Sequence, residues 1–186
     1  GGTLTQAGLA LTLFMVSSIA IRPFSGLVIE KFGLRRTLII SETFFTLISF
    51  GYLLIDDLTS LFVLRLLHGV WFSILTTACV PVVNQFIPEQ RRGEGMGYYV
   101  MSVNLGIVLG PFIGLTLTEY LSYTHITAIL VTLVSIGLAF CFFIPVKEYK
   151  KLPTTAYQKK NIGLDDFVEK KALPIALMAM LVSFSY

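Results

Sequence analysis

The sequence predicts an all-α fold, a bundle of membrane-spanning helices of which this chain is a part. Three observations carry that expectation. Hydrophobic residues make up 55% of the 186-residue chain and charged residues only 13%, against roughly 25% charged in ordinary soluble domains. The apolar residues gather into runs near the ~20 residues needed to cross the hydrocarbon core. Finally, twelve of the fourteen lysines and arginines fall into alternate connections between those runs.

The first run, Leu4 to Ile29, is interrupted only by Arg22 beside Pro23. Thr37 to Ile55 follows, with Glu42 inside it, and then Leu58 to Ile87, which holds Arg65 and His68. Met96 to Leu121 carries Asn104, Glu119 and a regular series of glycines, and Ile126 to Val146 completes five candidate spans. A sixth run, Ala172 to Tyr186, stops short of a full crossing. The chain opens on Gly1 and ends within that run, so we read it as a piece of a longer protein with at least one helix cut off. The start lacks the basic region of a signal peptide.

Residues 1–146 thus form one transmembrane half with five visible helices, 147–171 a linker and 172–186 the start of a second half. The linker, "KEYKKLPTTAYQKKNIGLDDFVEKK", is rich in lysine and polar residues. Its Leu164, Phe167 and Val168, with Leu173 beyond, have near-helical spacing, which suits either a surface-lying helix or a solvated strand of chain. Basic residues mark the loops after the first, third and fifth runs, so the positive-inside rule puts those loops and the linker in the cytoplasm of a multi-pass cell-membrane protein. The first visible helix then runs inward and the fourth outward.

The net charge of +3 reflects this alternation and gives no reason to expect a nucleic-acid partner. Cys79 and Cys141 both lie inside runs, where a thiol packs as a small hydrophobe, so neither a disulfide nor a metal site is expected. No nucleophile with a base partner and no phosphate-binding glycine loop is present, and no catalytic residue is assigned.

Three stretches carry mechanism. In "GLVIEKFGLRR", Gly26 allows close helix approach, Glu30 and Lys31 mark a boundary, Gly33 makes the turn, and Arg35 and Arg36 open the next helix. In "RLLHGVW", Arg65 lies about 9 Å along the helix from Thr59, hence inside the membrane. His68 sits one turn on, with an unperturbed imidazole titrating near 6.5. In "GYYVMSVNLGIVLGPFIG", Gly106, Gly110 and Gly114 are four apart, a smooth stripe for helix packing, and Pro111 frees the carbonyl of Ile107. Gly97 heads the same series.

Taken in order, these stretches resemble the major facilitator superfamily. The first is similar to its G-x-L-a-D-R-x-G-R-R loop, with Glu30 for Asp, Lys31 for Arg and Leu34 at a usually basic position. The second is similar to R-x-x-Q-G of its fourth helix, with His68 for Gln. The third is similar to the antiporter motif G-x8-G-x3-G-P-x2-G-G of its fifth helix, with Leu115 for the last Gly. The resemblance covers nearly the whole chain and equates it with helices two to six and the start of helix seven.

That resemblance implies a transporter of twelve or fourteen helices, monomeric when whole, working by alternating access. The antiporter motif implies proton-driven export of drugs or other amphipathic small molecules, with the proton gradient as energy source and no cofactor. Arg65, His68, Arg22 and Glu42 are the candidates for proton coupling, although Glu42 reads first as part of the cytoplasmic boundary. Gly26, Glu30, Lys31, Gly33, Arg35 and Arg36 are the candidate cytoplasmic latch, and Asn104 is a candidate for the cavity. A proton symporter or facilitator for a nutrient remains an alternative, as does a non-transporting receptor or scaffold.

Overall fold

The computed structural model describes residues 3–55, 57–148 and Met178. The chain divides into two compact units, Gly1–Tyr149 and Lys150–Tyr186. The expected linker, its amphipathic stretch and the sixth apolar run lie outside the described residues, apart from Lys147, Glu148 and the helical Met178.

The described part of the first unit is built of five long helices: α1 (Leu4–Phe32), α2 (Leu34–Gly51), α3 (Leu58–Phe86), α4 (Arg92–Tyr120) and α5 (Tyr123–Phe143). A 3-10 turn, Glu89–Arg91, leads into α4. By length and composition α1, α3, α5 and the stretch Glu89–Tyr120 can each cross a membrane. The 29 residues of α1 or α3 extend about 43 Å, beyond the ~30 Å of the hydrocarbon core.

The second expected span, Thr37 to Ile55, is shifted and shortened. Its helix starts at Leu34, includes Arg35, Arg36 and Glu42, and stops at Gly51, after which Tyr52 to Leu54 turn. Its 18 residues reach about 27 Å and hold three charges, so it falls outside the four helices that qualify.

Local chemistry sets the helix starts. Thr3 and Gln6 form a capping box at α1, with Thr3 N donating to Gln6 Oε1 at 2.8 Å and Gln6 N to Thr3 Oγ1 at 3.3 Å. Asp57 caps α3 by accepting from Ser60 N at 2.8 Å. That bond holds the exposed Asp57 carboxyl below the usual carboxylate pKa. Because the folded value is lowered, the stabilisation is complete above the unfolded value and drains away as the pH falls through the folded one. The thermal advantage of the wild type over Asp57→Asn is therefore expected to shrink between about pH 7 and about pH 3; an advantage that grew toward acid would contradict this cap.

The start of α2 is capped from far along the chain. Gly33 takes φ +87°, a left-handed value that favours glycine, and supplies no side chain to the helix start. Glu148 does so instead: Oε2 accepts from Leu34 N at 2.8 Å and Oε1 from Arg35 N at 3.1 Å. A Cβ on Gly33 would come within 2.7 Å of that carboxylate. Beside it, Gln85 Nε2 donates to Lys147 O at 2.8 Å while Lys147 N donates to Gln85 Oε1 at 2.9 Å. Val146 is buried with Leu34, Leu38, Ala78 and Val82, so the residues after α5 strap the ends of α2 and α3 together. Replacing Glu148 with Ala is expected to cost about 1 kcal/mol, as for other lost helix caps, read as a lower unfolding temperature in detergent.

Packing is uneven. α1 lies along α3, while α2 contacts α3 and α5. The α1–α3 seam includes small residues, with Ser17, Ser25, Gly69 and Ser73 all buried, as suits membrane helices that approach closely. Ser25 and Ser73 place their hydroxyls 3.5 Å apart. α4 has no buried residue and touches α3 and α5 sparsely.

Candidate functional site

The four candidates for proton coupling occupy three places. Arg22 extends from α1 toward α3, where Nη2 donates to Thr76 Oγ1 at 3.5 Å. Arg65 and His68 lie together on α3, facing the end of α2. Glu42 stands apart, on the side of α2 that meets α5.

The Arg65 and His68 group is the most fully built. The guanidinium carbon of Arg65 lies 5.3 Å from the centre of the Tyr52 ring, a cation–π arrangement. Its Nε is buried and has no hydrogen-bond partner among the described residues. The His68 ring is held at both nitrogens, with Nδ1 3.2 Å from Tyr52 Oη and Nε2 3.4 Å from Ser49 Oγ. Phe45 covers the ring at 4.0 Å between centroids and Phe14 meets it edge-on at 6.0 Å. Because the Ser49 hydroxyl donates to Phe45 O at 2.8 Å, it is left to accept from Nε2–H, and Tyr52 Oη then donates to Nδ1, so the Nε2–H tautomer satisfies both contacts. An arginine inside a spanning helix, held against an aromatic face with its buried Nε–H unspent and no hydrogen bond from its guanidinium to the described residues, is poised to bind a carboxylate or another acceptor as the surroundings change.

Glu42 is two turns inside α2 and only 8% exposed. A Cβ on Gly137 of α5 would lie 3.2 Å from its Oε1.

The candidate latch residues are assembled at one end of the bundle. Glu30, Lys31, Arg35 and Arg36 are exposed, and none forms an ion pair among the described residues. Lys31 instead sits 5.5 Å from the Phe32 ring. The turn at Gly33 is as expected, whereas added Cβ atoms on Gly26, Gly97, Gly106, Gly110 and Gly114 would meet nothing within 4 Å. The close approaches expected there are not made by the described residues. α4 continues through Pro111 as one helix, and Asn104 is exposed on it.

Several residues of the site were not singled out in the sequence. Tyr52 and Ser49 complete the His68 environment, Thr76 receives Arg22, and Gly69 lets α1 and α3 meet. A Cβ on Gly69 would collide with the Phe14 carbonyl oxygen and the Ser17 hydroxyl. The signals were present as small or polar residues on otherwise apolar helices, spaced three and four apart.

Long apolar helices that bury hydroxyls and enclose an arginine define a multi-pass membrane protein. The chain belongs to the major facilitator superfamily, whose family model matches residues 1–186. It is 27% identical over 154 residues to the multi-drug resistance efflux pump PmrA of Streptococcus pneumoniae, a match covering 80% of this chain and 38% of that protein. It is 24% identical over 164 residues to the quinolone resistance protein NorA of Staphylococcus aureus, covering 86% of this chain and 40% of that protein. The chain thus spans about two fifths of the length of these curated relatives.

Proposed function

We propose that the full-length protein is a secondary active transporter, monomeric in the cell membrane, which exports drugs or other amphipathic small molecules in exchange for protons by alternating access. The observation that carries this reading is Arg65, set within a spanning helix against Tyr52 and beside His68. The relatives named for multi-drug efflux and quinolone resistance support export rather than uptake. The family points to a transporter rather than an enzyme.

In this account the basic loops and linker face the cytoplasm. Residues 1–146 form the first half, 147–171 the linker, and 172–186 begin the second half. Glu30, Lys31, Arg35 and Arg36 close the cytoplasmic side against that second half and part when the site opens inward. The glycine stripe of α4 provides a smooth face for the rocking contact. Arg65 acts electrostatically, favouring the loss of a proton from a nearby acid when it approaches.

The test uses cells that produce the full-length protein and are loaded with ethidium, an amphipathic fluorescent cation. Lower steady-state ethidium than in control cells, restored by a protonophore, is the expected result. Accumulation that the protonophore leaves unchanged would contradict proton-driven export of this compound.

A further inference from the structure

A groove runs between α1, α2 and α3 near the turn at Gly33. Val28 and Phe32 of α1, Thr37 and Ile40 of α2, and Trp71 and Ile74 of α3 enclose about 280 Å³. The Thr37 hydroxyl is spent on Gly33 O at 2.7 Å, which leaves the walls apolar. The Trp71 indole is held flat against Phe44, with 4.3 Å between ring centroids and 7° between planes. Phe32, Ile40 and Phe44 are exposed, so the groove opens on the surface of the described helices.

Cations stand at one end of this groove. Lys31 Nζ lies 5.5 Å from the centre of the Phe32 ring, which forms the wall there. Arg36 is exposed one turn before Ile40 on the same side of α2. Ile40 lies about 9 Å along α2 from its start at Leu34, so the groove extends inward from the charged turn. Neither cation joins an ion pair among the described residues. The neighbouring acids are placed elsewhere. Glu30 is two residues from both Val28 and Phe32, about 160° round α1 from the groove wall. The Glu148 carboxylate is taken up by the N–H groups of Leu34 and Arg35.

We propose that this groove binds a phospholipid of net negative charge, with an acyl chain lying along Ile40 and Trp71 and the headgroup phosphate between Lys31 and Arg36. Two features select this occupant. Apolar walls beside a stacked indole suit a hydrocarbon chain and offer nothing to a polar ligand. The two unpaired cations suit a headgroup that brings no ammonium of its own, and each basic residue at a membrane surface favours an anionic over a zwitterionic lipid several-fold. An apolar helix of another chain would fill the groove but leave Lys31 and Arg36 unmatched. The site does not depend on the antiport reading, and its occupancy is measured without transport.

The test follows Trp71 fluorescence in the full-length protein, taken as the difference between the wild type and Trp71→Phe, which keeps a ring beside Phe44. Each protein is reconstituted in phosphatidylcholine vesicles with increasing fractions of brominated-chain phosphatidylglycerol or, in parallel, brominated-chain phosphatidylcholine, since bromine quenches an indole that it touches. Half-maximal quenching is expected at an about tenfold lower fraction of the brominated phosphatidylglycerol, with the preference lost in Lys31→Gln/Arg36→Gln and reduced by high salt. Both replaced side chains are exposed, so the double variant should fold. Equal quenching of the wild type by the two lipids overturns the proposal. So does an absence of quenching by either, which would show the groove filled by another part of the protein. A preference that survives in Lys31→Gln/Arg36→Gln would also overturn it, because the phosphate would then be held elsewhere.

Discussion

Leucine at position 69 is expected to prevent α1 and α3 from packing and to leave little or no folded protein after detergent extraction. The reason is geometric. Even a methyl group there runs into the Phe14 backbone carbonyl and the Ser17 hydroxyl, and a backbone atom cannot swing aside as a flexible side chain can. Overpacking of this kind costs about 1–3 kcal/mol for small additions, which is the range expected for Gly69→Ala. Leucine adds three more carbons to the same space. Gly8→Ala, on the same helix pair but with open space around the new methyl, should leave the unfolding temperature unchanged or slightly raised. A Gly69→Leu protein as stable as the wild type would show that this seam is not as close as described.

Removing the Arg65 guanidinium is expected to have the largest effect on function. Arg65→Ala should lower proton-driven ethidium transport about 100-fold or more, while exchange of labelled for unlabelled ethidium, which needs no net proton movement, persists. The charge sits inside a spanning helix, with Nε unpaired and the cation over Tyr52, so its loss removes the fixed positive field of the site. Arg65→Lys restores the charge but not the flat, delocalised cation, and should recover part of the rate. Both variants should retain folded protein, since Arg65 fills no part of the close α1–α3 seam. Full transport in Arg65→Ala would remove Arg65 from the mechanism.

The long apolar runs made the helices legible because a bilayer demands length and hydrophobicity whatever the packing. α1 and α3 accordingly match their expected spans to within a few residues at each end. The bounds of α2 were less legible than its existence: the helix begins at Leu34 amid Arg35 and Arg36, outside the apolar run, and ends at Gly51, before the run does. The burial of Glu42 was not legible either, since along the chain it lies close to those arginines. The turn at Gly33 was readable from its glycine, but its cap was not. Glu148 lies 114 residues from Leu34, and no local pattern connects them.

The site was legible in part. Arg65 and His68 stand out as charged or titratable residues in an apolar run, and they are neighbours as one helical turn requires. Tyr52 and Ser49 join them only through the antiparallel packing of α2 on α3, which spacing within either helix does not reveal. Arg22 finds Thr76 across another seam in the same way.

The most direct test of proton-coupled export is made with the full-length protein in proteoliposomes whose interior is acidic, following internal pH as ethidium and other amphipathic compounds are added outside. The account predicts a compound-dependent rise in internal pH that is absent in Arg65→Ala. If labelled compounds equilibrate across the membrane while internal pH stays constant, the protein is a facilitator for those compounds and the antiport account is wrong.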